Sequence, residues 1–179
     1  SATTQEIHMA LTTFQGPVRS LNGFYSQGPG NTITLGATAT LTVAAHAGRI
    51  LLVPATCAII LPAVNASANP ATSGPGSDPN TLNNIGAIFT FIFTAASAGA
   101  TAETITTTGS DVYTGQISVA GTTSMAFNST AGTVITLNST TSGGAAAGSR
   151  LSLMPYTTGK YMVLHGSFVG SGTVVTPFS

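Results

Sequence analysis

From Asn31 onward, apolar and polar residues alternate in short stretches. Thr32-Ile33-Thr34-Leu35 and Thr40-Leu41-Thr42-Val43 each set apolar side chains two apart, which puts them on one face of a strand. Ile33, Leu35, Leu41 and Val43 are therefore expected to point inward. Arg49 to Val53 and Cys57 to Leu61 are continuous apolar runs ended by Pro54 and Pro62, a pattern that fits strands buried on both faces. Ile88 to Phe93 is the strongest strand signal. Phe89, Phe91 and Phe93 share one face, and Ile88 and Ile92 share the other with Thr90. The three phenylalanines are expected at the centre of the core, or as core on one side with subunit contact on the other.

Further short strands are predicted over 103–107, 112–118, 124–127, 134–137, 150–154 and 160–165, separated by Gly-, Ser- and Asn-containing turns. About eight to ten short strands at roughly ten-residue spacing predict an all-β domain, a β-sandwich or barrel of jelly-roll-like form. Amphipathic runs of good helix formers are absent.

The flanks read differently. Residues 1–30 show no sustained period and carry the turn signals Gly16-Pro17, Asn22-Gly23 and Gly28-Pro29-Gly30. They predict an extended N-terminal arm ahead of a β-domain over 31–169. Phe14, Val18, Leu21, Phe24 and Tyr25 give that arm apolar residues to bury against the core or a neighbour. Residues 65–84, with three prolines, two glycines and paired asparagines, predict a long loop, either functional or a tolerated surface insertion. The tail, 170–179, holds Thr173-Val174-Val175-Thr176, which is expected to add as an edge strand in this subunit or a neighbour.

Composition sharpens this picture. Apolar residues make up 42% of the 179 and charged residues only 4%, against a usual charged share of about 25%. Disorder calls for low hydrophobicity with high net charge, the reverse of this chain. The formal net charge is zero, so little colloidal repulsion keeps copies apart. Such a surface is either simply Thr/Ser-rich or built for an assembly. Arg19, Arg49, Arg150 and Lys160 are the only Lys or Arg residues and they are scattered, which argues against nucleic acid as a partner. No apolar run approaches the length of about 18 residues that spans a membrane as a helix. Ser1 to Glu6 lack the basic and apolar regions of a signal peptide. The Asn-x-Ser/Thr triplets at Asn65, Asn128 and Asn138 are expected by chance in so Thr/Ser-rich a chain.

Catalytic chemistry finds few candidates, and no enzyme is expected. The acids are Glu6, Asp78, Glu103 and Asp111. Glu103 and Asp111 flank one predicted strand and could approach each other, but solvation at the strand ends is the plainer expectation. His8, His46 and His165 share no metal-ligand spacing, so neither metal nor cofactor is expected; a threefold axis gathering one His from each copy is the remaining route to an ion. Cys57, the single cysteine, cannot form an internal disulfide, and its apolar surroundings predict an inert buried side chain. Gly143 to Arg150 misses a phosphate loop by its last residues and by the strand that follows.

Gly16-Pro17-Val18-Arg19-Ser20-Leu21-Asn22-Gly23-Phe24 resembles an N-terminal motif of head decoration (cement) proteins of tailed phages, especially marine and cyanobacterial ones. The resemblance continues through Leu41 to Arg49, Ile60-Leu61-Pro62, the Phe-rich strand, Asp111 to Gly115, Arg150 to Leu153 and Lys160 to Val163. It covers roughly residues 16–165, and the loop at 65–84 fits it poorly. The resemblance implies a β-rich protein on the outer surface of the virion capsid, partnered by the major capsid protein and by itself, often as a homotrimer. The arm residues Phe14, Val18, Arg19, Leu21, Phe24 and Tyr25 are then the expected capsid contacts. Two other classes stay open: a receptor-binding or adhesive module of a tail fibre, and a main shell or fibril subunit.

Overall fold

The computed structural model describes residues 31–68, 81–99 and 103–179. The residues expected to form the capsid-binding arm, Phe14, Val18, Arg19, Leu21, Phe24 and Tyr25, lie outside them, as do the tip of the long loop and residues 100–102.

Period-two patterning becomes strand almost throughout. In chain order the strands are β1 (Thr32–Thr34), β2 (Thr38–Thr40), β3 (Ile50–Val53), β4 (Cys57–Ile60), β5 (Phe89–Phe93), β6 (Glu103–Thr106), β7 (Val112–Ala120), β8 (Ser124–Gly132), β9 (Val134–Leu137), β10 (Arg150–Thr157) and β11 (Lys160–Val169). They form a seven-stranded sheet, β1-β3-β5-β10-β11-β7-β8, and a four-stranded sheet, β2-β4-β6-β9. Their apolar faces share one buried core, so the expected all-β sandwich stands.

A jelly roll is antiparallel, whereas here β1·β3, β3·β5, β2·β4, β4·β6 and β7·β11 pair parallel. The cause is the winding of the first half of the domain. From β1 to β6 the chain changes sheet at every connection, and each turn stacks on the last. Thr32 pairs with Ile50 and Ile50 with Thr90 in the large sheet, while Thr38 pairs with Ala58 and Cys57 with Glu103 in the small one. Even the corners stack: Ala58 N–H donates to the Ala37 carbonyl (2.9 Å) and Ala98 N–H to the Ala55 carbonyl (2.8 Å). This is a three-turn, two-sheet coil, in which each turn shields its neighbour as in a solenoid. The second half extends the large sheet with β10, β11, β7 and β8, and closes the small one with β9.

Two expectations are corrected. Thr40 to Val43 is not one strand: β2 ends at Thr40, and Val43–His46 form a four-residue helical turn, α1. The Thr42 hydroxyl accepts from Ala45 N–H (3.3 Å) and Thr42 N–H donates to His46 Nδ1 (3.0 Å), so a capping threonine overrides the alternation. Leu41 is buried as expected, but Val43 is only half-buried. Second, β3 and β4 are not buried on both faces. Leu51, Val53, Cys57 and Ile59 face the core while Ile50, Ala58 and Ile60 face outward, because no layer among the described residues covers the outer side of either sheet.

Phe89, Phe91 and Phe93 of β5 are all buried, Phe93 meeting Phe168 edge-on at 5.8 Å between ring centres. Two tyrosines bolt the sheets together. Tyr113 and Tyr161 are register partners on β7 and β11. The Tyr113 hydroxyl donates to the Ile105 carbonyl (2.9 Å) and the Tyr161 hydroxyl to that of Pro62 (2.7 Å). Burial pushes both phenols up, so they remain O–H donors.

The tail adds an edge in its own subunit, beside β9, but not through Thr173–Thr176. Phe178 pairs antiparallel with Ile135, Thr136 N–H donates to the Pro177 carbonyl (2.8 Å) and Ser179 N–H to that of Val134 (2.9 Å). Pro177 lacks an N–H but still offers its carbonyl. Asparagines close the stem of the long loop: Asn65 N–H donates to Asn84 Oδ1 (2.9 Å), and the Asn84 amide to the Ala63 carbonyl (2.8 Å).

Candidate interaction surface

The large sheet turns its apolar inner face to the small sheet, which leaves the other face to assess. Strand register reads that face row by row. One row runs Thr34, Leu52, Ile92, Arg150, Ser167, Ser118 and Ala126 across all seven strands. Next to it run Thr32, Ile50, Thr90, Ser152 and His165. Met154, Met162 and Thr114 form a third.

Large apolar side chains stand open on these rows and beside them. Ile50 is 36% exposed, Ile88 41%, Ile92 37% and Leu164 46%; Leu52, Met154 and Met162 are half-buried among them. Leu164 is the extra residue of a bulge in β11, where the register with β10 shifts between Leu153 and Ser152. A bulge pushes side chains out of the pleat. Some polar side chains on the face are paired with each other. Thr90 and Ser152 hydroxyls meet at 3.3 Å, and Arg150 Nε donates to His165 Nε2 at 2.9 Å. The face is therefore broad, with Arg150 the one charged residue on these rows and its open isoleucines gathered on β3, on β5 and just before β5, suited to excluding water against another protein.

Of the residues considered for chemistry, His165 lies on this face; Glu6, His8 and Asp78 lie outside the described residues, and Glu103, Asp111, Cys57 and His46 lie elsewhere. Glu103 and Asp111 are both buried rather than solvated at strand ends, which corrects the expectation. Asp111 Oδ2 accepts from Val64 N–H (2.7 Å) and fixes the turn after β6. Glu103 Oε2 accepts a hydrogen bond from the Ser97 hydroxyl, while Oε1 has no partner among the described residues. Burial pushes the Glu103 carboxyl up, against the pull of Ser97. Cys57, its register partner on β4, donates to the Gly36 carbonyl (2.9 Å). Burial, and then the Glu103 charge, push the thiol up to about 11, so it carries no reactive thiolate at neutral pH. Among the described residues no group of three His, Cys, Asp or Glu is placed to hold a metal ion.

Gly143 to Arg150 has a structural task. Its backbone ties β5, the segment after it and β11 together: Ser97 N–H to the Gly144 carbonyl (2.9 Å), Gly148 N–H to that of Phe93 (3.0 Å) and Ala145 N–H to that of Val169 (3.0 Å). Gly144 sits at φ 81° with Ser97 and Leu137 packed where a Cβ would be. The three triplet asparagines are likewise engaged, Asn65 with Thr81 and Leu82, Asn128 with Gln116, Asn138 with Thr141.

Sequence reasoning identified the Ile88 and Ile92 face of β5 but not the rows around it. Ile50 and Leu52 were hidden in a run that reads as buried. The signal was there: apolar residues at both parities of a short strand, with no amphipathic run of helix formers in the sequence to cover the second face. Compared with family models, curated proteins and solved structures, the chain matches none.

Proposed function

We propose that this chain is a non-enzymatic structural protein that decorates the outer surface of a tailed-phage head and stabilises it against internal DNA pressure. The observation that carries the reading is the broad outer face of the large sheet, with Ile50, Ile88, Ile92 and Leu164 open, in a chain with four acidic and four basic residues. A ligand that binds only the assembled lattice stabilises it by mass action. Such binding needs fit and contact area, and with few ion pairs to screen it holds across salt concentrations. In this reading the face lies on the major capsid protein and residues 1–30 extend the contact, with Phe14, Val18, Arg19, Leu21, Phe24 and Tyr25 as anchors, at an entropic cost on ordering.

A sugar-binding fibre tip would want exposed aromatic platforms. Tyr113 and Tyr161 are buried and bonded within the core, which counts against that reading.

Co-sedimentation with undecorated, expanded heads tests the proposal. The full chain is expected to saturate at hundreds of copies per head, equally at low and high salt. Deleting residues 1–25 is expected to abolish binding while the β-domain keeps its circular dichroism. Unchanged binding would remove the arm from the proposal, and saturation at a handful of copies would remove decoration.

A further inference from the structure

The sheet edges are treated unequally. In the small sheet, β2 has three residues and the tail covers β9. In the large sheet, β1 has three residues, but β8 is a nine-residue edge with no strand beyond it among the described residues. Half of an edge strand's N–H and C=O groups point away from its only neighbour. Natural proteins blunt such edges with lysine, proline, a covering segment or a break in register. The β8 sequence Ser-Met-Ala-Phe-Asn-Ser-Thr-Ala-Gly contains no charge and no proline. Its one register shift falls beyond Ser129, leaving Ser124 to Ser129 paired with β7 without interruption. Met125, on the core-side face of this edge beside Val119, is 50% exposed.

We propose that β8 is a self-pairing edge: two copies join β8 to β8 antiparallel across a twofold axis, fusing their large sheets into one. Length selects the occupant. Among the described residues the other open edges span three residues each, so only a second β8 offers a ladder as long. A twofold contact is self-complementary, and an uncharged strand meets its own copy without repulsion. Pairing satisfies the outward backbone groups and shields Met125. It gives a twofold association in place of the threefold one that the phage resemblance implies, and it stands or falls independently of what the protein decorates.

The test uses the full chain. Sedimentation velocity at micromolar concentrations is expected to show a dimer. Ala126→Lys sets like charges close together across the axis and is expected to weaken the dimer by about tenfold or more, with the circular dichroism of the folded subunit unchanged. Separately, Ser124→Cys, Ala126→Cys and Asn128→Cys place thiols along the exposed side of β8; at least one is expected to give a disulfide-linked dimer on mild oxidation, and the wild type, with Cys57 buried, none. A monomeric wild type, as when residues 1–30 of the same chain take the edge, would overturn the inference. So would an oligomer indifferent to Ala126→Lys, or failure of all three cysteine variants to cross-link.

Discussion

The two faces of the large sheet are made from similar residues and live in different solvents. On β5, Phe89, Phe91 and Phe93 are sealed against the small sheet, while Ile92 one position along, and Ile88 just before the strand, stand in water. Hydrophobicity alone does not separate them. The difference is that, among the described residues, one face is covered by a second layer and the other is not. Apolar groups on the inner face stabilise the fold by leaving water; those on the outer face contribute little until something else covers them. The inner face therefore reports on folding and the outer face on association.

The largest expected effect attacks the inner face. Phe91→Ala should cost about 3–5 kcal/mol through lost transfer energy and a cavity, read as a fall in the unfolding midpoint in urea or on heating. Gly144→Ala tests fit where no apolar area changes. It adds a Cβ at φ 81° against Ser97, and should cost about 2 kcal/mol, part of it the left-handed backbone penalty.

Glu103 is the polar exception on the inner side, and its effect depends on pH. An unfolded carboxyl titrates near 4.5, and burial raises Glu103 above that. Below this pH both states hold the proton and stability is complete. As pH rises, the unfolded chain ionises first, so stability falls until the folded carboxyl ionises as well. Glu103→Gln removes that slope and should gain on the wild type by about 1–3 kcal/mol, the scale of a buried polar group lacking a partner, between pH 4 and pH 8 in parallel denaturant titrations. Equal slopes would mean that Glu103 is not the group responsible.

The smallest effect on folding falls on the outer face. Ile92→Ser should shift stability by no more than about 0.5 kcal/mol while weakening attachment to phage heads in the co-sedimentation assay. If Ile92→Ser unfolds the protein as Phe91→Ala does, the distinction between the faces is lost.

Most strands were legible because alternation is local. β1, β5, β6, β9 and the starts of β7, β8, β10 and β11 follow from residues two apart. β11 runs on past its expected end, through Gly166 and Ser167 to Val169, because a bulge at Leu164 interrupts the period. The Thr42 cap ended a strand that alternation would have continued. The buried state of Glu103 was not legible, because a carboxylate at a strand end is ordinarily solvated. Its strand neighbours Cys57 and Leu137 and its hydrogen bond from Ser97 belong to distant parts of the fold.

Local sequence by itself determined that the chain is nearly all β, where its strands lie and that it is almost free of charge, since period, turn residues and composition act over a few positions. Tertiary structure decided which of two apolar faces was buried, that the first six strands coil between two sheets in parallel, and that among the described residues β8 is left as a long edge while the tail covers β9. Those outcomes depend on contacts between residues 20 to 50 positions apart and more, such as Thr38 with Ala58 and Cys57 with Glu103. No local pattern encodes which distant segment will arrive to cover a surface.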